Sequence, residues 1–219
     1  MDDERTSRAR SDLVDHLRRT GRIHSSSVAA AVEAVPRHEF VPESARDRAY
    51  EDRPLEIGRG QVVTAPHLVA QMTELLELDR GHRVLEVGTG SGYHAAVMAE
   101  IVGPERVFSL ERFPDLATRA RDALERTGYG DVTVIVGDGS LGLPRAGPFD
   151  RISVAAVAPS VPDPLGDQLT DDGTMVIPLG PREGPHELHL VERADGRLER
   201  TPHGRVRFVP LIGRYGFER

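Results

Sequence analysis

Val84-Leu85-Glu86-Val87-Gly88-Thr89-Gly90-Ser91-Gly92-Tyr93 decides how this chain is read, because a short apolar strand there carries one acid into three alternating glycines. Glycines permit a sharp turn with no Cβ between backbone and ligand, and the helix that follows offers free N–H groups at its start. Dinucleotide-binding folds share that much, and the register Gly90-x-Gly92-x-x-Ala95 also fits their fingerprint. The acid separates the two classes. Glu86, two residues before the first glycine, would repel a pyrophosphate held at the turn. It suits a positively charged cofactor without phosphate, which describes S-adenosylmethionine.

Outward from this turn, strand signals at 83–87, 106–110, 132–136, 151–157 and 174–178 alternate with helices or helical turns, among them 94–101 and 114–126. Strand and helix alternating at this spacing predict an α/β fold, a Rossmann-like doubly wound and mostly parallel sheet. Segments 187–192 and 207–212 read as two further strands, giving about seven in all with an antiparallel C-terminal part. Upstream, helices are expected at 6–20, at 28–35 with an N-cap from Ser25-Ser26-Ser27, and at 42–47, forming an N-terminal helical cap. Residues 51–65 carry Pro54, Gly58 and Gly60 without a sustained period and read as an ordered loop, followed by a helix over 66–78. One domain results: 1–65 as cap and substrate loop, 66–180 as cofactor-binding core, 181–219 as C-terminal strands.

Composition narrows the function classes. The 219 residues include no cysteine, which excludes disulfides, Fe–S clusters and a cysteine nucleophile. The nine His residues show no ligand spacing such as HExxH, so no metal is expected. All 28 basic residues are Arg, against 35 acids, and the net charge of −7 argues against nucleic acid as the main partner. Arg18-Arg19 and Arg205-x-Arg207 read as solvated faces. No apolar run approaches the roughly 20 residues that span a bilayer, so no membrane partner is expected. No apolar leader opens the chain, and a cytoplasmic, monomeric enzyme is the expectation.

In doubly wound sheets ligands sit at the carboxyl ends of the strands. Three successive strands end in acids. Glu86 opens the turn formed by Gly88, Thr89, Gly90 and Gly92. Glu111, 25 residues later, can accept hydrogen bonds from both hydroxyls of a ribose. Asp138, between Gly137 and Gly139, can reach an exocyclic amine such as that of adenine. A strand-end acid can also cap the next helix or face water, but three in order fit an adenosyl site. The absence of a basic phosphate clamp near them disfavours NAD. Asp150, at the start of the fourth strand, is expected to bond nearby backbone amides.

These residues, with those around them, resemble protein-L-isoaspartate O-methyltransferases from about Val35 to Gly213. The resemblance is carried by Val35-Pro36-Arg37-His38-Glu39-Phe40-Val41-Pro42, by Ala49-Tyr50-Glu51-Asp52-Arg53-Pro54-Leu55 and by Gly60-Gln61-x-x-Thr64-Ala65-Pro66-His67. The glycine turn with Tyr93, Gly137-Asp138-Gly139 with Leu143-Pro144, and Arg207-Phe208-Val209-Pro210-Leu211-Ile212-Gly213 complete it. It implies methyl transfer from S-adenosylmethionine to the abnormal α-carboxylate of L-isoaspartyl residues in damaged proteins or peptides, with repair through a succinimide. It also implies that Thr64 stands at the active-site hydroxyl position, with Gln61, Val62, Val63, Ala65 and His67 around the acceptor. Thr64 can equally serve as N-cap of the helix that Pro66 opens. Relatives commonly read Gln-Thr-Ile-Ser where this chain has Gln61-Val62-Val63-Thr64, and a small polar residue where it has Ala155. Both departures bear on the acceptor. A relative that esterifies ordinary aspartate or another carboxylate, and an adenosyl-binding protein without catalysis, are the competing readings.

Overall fold

A strand buried at all four positions, as Val84–Val87 is, needs apolar cover on two sides, and a parallel sheet between two layers provides it. The computed structural model describes residues 4–218. Met1-Asp2-Asp3, the start of the charged N-terminal segment, and Arg219 lie outside the described residues. In chain order the elements are α1 (Glu4–Arg19), α2 (Ser26–Ala34), short 3-10 turns at Arg37–Phe40 and Glu43–Arg48, β1 (Leu55–Gly58), β2 (Gln61–Val63) and α3 (Pro66–Leu75). They continue as β3 (Val84–Val87), α4 (Tyr93–Val102), β4 (Val107–Glu111), α5 (Pro114–Arg126), β5 (Thr133–Val136), β6 (Phe149–Val154), α6 (Asp163–Gly166), β7 (Leu169–Leu179), β8 (His186–Ala194) and β9 (Arg197–Val206).

The main sheet has seven strands in the order β5-β4-β3-β6-β7-β8-β9. The pairs from β5 to β7 are parallel, and β7–β8 and β8–β9 are antiparallel. The order reverses between β3 and β6, which places a ligand crevice at the carboxyl end of β3. Alternation along β3 divides the core. Val84 belongs to one apolar cluster, with Leu17, Val32, Val69 and Met98 from the helices, and Leu85 to the other, with Phe149, Ile152, Leu165 and Met175. Leu55, Ile57 and Val63 belong to the first of these clusters, so the N-terminal region is packed into the body of the fold.

Local signals act as their chemistry predicts. Ser25 caps α2, its Oγ accepting from Val28 N at 3.2 Å, and Asp150 Oδ2 accepts from Arg83 N at 2.7 Å, tying β6 to the entry of β3. Two expectations fail. Residues 51–65 are not a loop throughout, because β1 and β2 pair antiparallel through a two-residue turn with Arg59 and Gly60 both at positive φ. Strands of four and three residues are too short for a period-2 pattern, and Arg at positive φ is no turn signal. The last strand is β9 and not 207–212. Arg197–Val206 is exposed along nearly its whole length and carries Pro202, as an edge strand can, so no apolar alternation marks it. Segment 207–212 instead crosses the strand ends, with Val157 N donating to Val209 O at 2.9 Å and Leu211 N to Val157 O at 2.8 Å. Among the described residues no helix is long and apolar enough to cross a membrane.

Candidate active site

The turn after β3 is built by its glycines. Gly88, Gly90 and Gly92 have φ of +99°, +54° and +88°, conformations that side chains with Cβ rarely adopt. At Gly88 a Cβ would also lie 3.4 Å from Ala155 Cβ on the neighbouring strand end. Gly88 N and Thr89 N both donate to Leu110 O, at 2.8 and 3.1 Å, so β4 holds the turn from the side. Gly92 then starts α4 in the left-handed region with no side-chain cap.

The acid at the end of β4 completes the turn. Glu111 is buried, its Oε2 accepting from Gly90 N and its Oε1 from Phe113 N, both at 2.9 Å. One carboxylate therefore fixes the glycine turn and the start of the following loop, and each oxygen keeps acceptor capacity toward the crevice.

Glu86 lies deeper. Its residue exposure is 0%, and Ser109 Oγ, itself 2.5 Å from Thr89 Oγ1, donates to its Oε2 at 2.5 Å. Burial pushes its carboxyl up to about 8; the Ser109 hydrogen bond opposes this and the Glu111 charge adds to it. His94, on the first turn of α4, lies with Nδ1 3.9 Å from Glu86 Oε1, and burial takes its pKa down to about 4.

Glu86, Gly88, Thr89, Gly90, Glu111 and Gly139 line one cavity together with Arg112, His94 and the 209–212 segment. Gly139 is forced small, since a Cβ there would run into Val87. Gly92 stands just behind, at the start of α4. Asp138 is not among the residues that line this cavity. Its carboxylate opens onto an adjoining depression with Arg112, Phe113 and Ile212. There Oδ1 accepts from Ser140 N and Oγ at 3.0 and 2.7 Å, and Oδ2 from Arg214 N at 2.8 Å. Burial raises its pKa, but these bonds and nearby Arg112 outweigh it, so the carboxyl stays below its ordinary value. Asp138 thus clamps the 213–217 turn, a contact across 76 residues that sequence spacing does not announce.

The loop residues form the other wall. Gln61, Val62, Val63 and Thr64 line the same cavity, and Thr64 is half-buried. Thr64 is not the cap of α3. The N-cap position is Ala65, without a side-chain bond, and Asp52 Oδ1 accepts from His67 N at 2.9 Å in its stead. The same Oδ1 lies 2.8 Å from His67 Nδ1, which fixes the imidazole against Asp52. Asp52 supplies the cap, so the Thr64 hydroxyl is not used to start α3. On the far side of Thr64 runs a groove lined by Ala65, His67 and Leu68 and by Arg205, Arg207 and Phe208. Val62, Thr64, Ala155 and Val209 line both spaces. Arg205 and Arg207 are exposed, as a solvated face requires, and both also border this groove. Among the described residues no group of three His, Asp or Glu side chains is arranged to hold a metal ion.

A doubly wound sheet with an acid-led glycine turn at its switch point, and a second acid bracing that turn from the next strand, defines a nucleoside-cofactor methyltransferase fold. The chain matches the family model for protein-L-isoaspartate(D-aspartate) O-methyltransferase over residues 8–216. It is 56% identical to the protein-L-isoaspartate O-methyltransferase of Methanopyrus kandleri, over 99% of this chain and 97% of that one. With the enzyme of the same name from Hyperthermus butylicus it is 52% identical, over 99% and 93% of the two chains. A protein-L-isoaspartate O-methyltransferase from Plasmodium falciparum, solved with S-adenosyl-L-homocysteine, superimposes with a TM-score of 0.81 at 26% identity, covering 93% of this chain and 98% of the other. The chain belongs to the protein-L-isoaspartate O-methyltransferase family.

Proposed function

We propose that this chain transfers a methyl group from S-adenosylmethionine to the α-carboxylate of L-isoaspartyl residues in damaged proteins, with Thr64 orienting the acceptor. The observation that carries the assignment of roles is the meeting of two spaces at one residue. The cavity around Glu86 and Glu111 has the glycine turn and buried acids that a cationic, phosphate-free nucleoside cofactor requires. The unpartnered, fully buried Glu86 Oε1 fits its positive charge. The groove on the other side of Thr64 has Arg205 and Arg207, which suit an anionic acceptor.

When bound, the cofactor supplies a sulfonium methyl group whose transfer leaves a neutral thioether. The acceptor carboxylate is already ionised at neutral pH, so no strong base is needed from the chain. What the residues do is hold and exclude. Glu111 holds the turn, Glu86 offers negative charge beneath it, and Val62, Ala155 and Val209 form apolar walls that keep water from the reacting oxygen. The Thr64 hydroxyl donates to the acceptor carboxylate and fixes its angle of approach. His67, held by Asp52, flanks the acceptor, and Gln61, Val63 and Ala65 shape the loop around it. Asp138 places the 213–217 turn beside the adenosine end.

Labelled S-adenosylmethionine with paired peptides that differ only in aspartyl or isoaspartyl linkage tests the acceptor. Labelling confined to the isoaspartyl peptide is expected, and equal labelling of both would overturn the repair assignment in favour of a general carboxylate acceptor. Thr64→Val tests the role of the hydroxyl. Loss of one hydrogen bond to a charged group, about 1.5–3 kcal/mol, lowers turnover roughly 10- to 100-fold. Cofactor affinity should stay within about twofold and Thr64→Ser should restore activity; a parallel loss of cofactor binding would show that Thr64 shapes the loop instead.

A further inference from the structure

The groove on the far side of Thr64 carries a charge opposite to that of the molecule. The chain as a whole has a net charge of −7, yet among the described residues no Asp or Glu lines this groove, while Arg205 and Arg207 do. Both are exposed. Neither has an acidic partner within ion-pair distance among the described residues. Glu187 stands opposite Arg205 in the β8–β9 ladder, but its Oε2 lies 3.3 Å from His189 Nε2 instead. Asp52, next to the groove residue His67, has its Oδ1 taken by His67 N and Nδ1. Two positive charges are thus left uncompensated at one groove, where they attract opposite charge on an incoming partner.

Their position says which part of an acceptor they meet. The reacting carboxylate must lie where the groove joins the cofactor cavity, at Val62, Thr64, Ala155 and Val209. Arg205 and Arg207 line the groove and not that cavity. The separation suits the chemistry, because a guanidinium bonded to the attacking oxygen would stabilise its charge in the ground state and oppose the loss of that charge in the transition state. The groove holds about 560 Å³, within the ~300–1,000 Å³ of sites that take whole drug-sized ligands. Residues beside the acceptor therefore enter it as well. We propose that Arg205 and Arg207 select acceptor peptides by the charge of the residues flanking the methylated one, favouring segments with Asp or Glu nearby and disfavouring those with Lys or Arg. This selection rests on the groove being the acceptor site. Exposed charges act on encounter and binding and leave the transfer step alone, so the selection falls on KM and not on kcat.

Three isoaspartyl peptides of equal length, with two Glu, two Gln or two Lys residues around the isoaspartyl position, test this with labelled S-adenosylmethionine and the natural protein. At low salt KM should rise in the order Glu, Gln, Lys, with about three- to tenfold between the ends, the scale of two exposed ion pairs, while kcat stays within about twofold. At about 0.5 M salt the spread should close to within about twofold, because exposed charges are then screened. Replacing both groove residues, Arg205→Gln with Arg207→Gln, should remove the order. Replacing two exposed arginines of β9 outside the groove, Arg197→Gln with Arg200→Gln, should keep it. Equal KM values for the three peptides, the reverse order, an order that survives the loss of Arg205 and Arg207, or one lost equally with Arg197 and Arg200 would each overturn the proposal. The aspartyl counterparts of the three peptides keep the acceptor assignment separate. If the aspartyl set is labelled equally well and in the same order, the charge selection stands and isoaspartyl specificity falls. If only the isoaspartyl set is labelled, and without order, the charge selection falls and the repair reading stands; labelling of neither set overturns both.

Discussion

Glu111→Ala is expected to weaken S-adenosylhomocysteine binding by roughly 10- to 100-fold or more and to destabilise the protein at the same time. The argument is one of double occupancy. Each Glu111 oxygen already accepts a backbone N–H, from Gly90 and from Phe113. A hydrogen bond to a charged group contributes about 1.5–3 kcal/mol, and removing the acceptor leaves buried donors without partners. In the proposed cofactor site Gly90 N belongs to the turn and Glu111 is the ribose acceptor, so both losses act on one equilibrium. Glu111→Gln should not rescue it, because an amide NH2 would face one of the two N–H donors. Calorimetry on both variants reads the affinity, and urea denaturation of the ligand-free proteins reads the stability. Unchanged affinity in Glu111→Ala would remove Glu111 from the site.

That double use marks where sequence reasoning runs out. Alternating strands and helices, the glycine turn and the strand-end positions of Glu86, Glu111 and Asp138 were all legible, because local patterning dictates them. Side-chain direction was not. Asp138 sits where a ligand-binding acid is expected, yet its carboxylate is tied to Ser140 and Arg214. The cap of α3 comes from Asp52, 15 residues before His67, where the local pattern offers Thr64. Strand β9 and the β1–β2 hairpin escaped because an exposed edge strand and two very short strands carry no hydrophobic period. The misses at Asp138 and Asp52 are long-range contacts standing in for a local signal.

Arg37 is the strongest case of such a contact. Within the motif Val35-Pro36-Arg37-His38 a basic residue suggests a solvated turn, but Arg37 is fully buried. Its Nε donates to Ala49 O at 2.9 Å and its guanidinium lies 4.7 Å from the centre of the Tyr93 ring. Burial lowers its pKa, against the influence of Tyr93, Asp52 and Tyr50. Tyr93 is the first residue of α4, directly after Gly92, so the N-terminal motif braces the helix that follows the glycine turn. Arg37→Ala empties a large buried site, unstacks Tyr93 and leaves Ala49 O unpaired. Emptying a buried site costs about 2–5 kcal/mol and an unpaired buried carbonyl about 1–3, while relief of the buried charge returns part of this. A net loss of about 3 kcal/mol or more is expected from urea denaturation. Arg37→Met keeps most of the volume and removes the charge, and apolar replacement of buried ions is often close to neutral. It should lose about 1–2 kcal/mol, the scale of the single bond to Ala49. If Met proves as damaging as Ala, the stacking of the cation on Tyr93 holds α4 in place and filled volume does not. If both are silent, the N-terminal motif does not brace the cofactor turn through this residue.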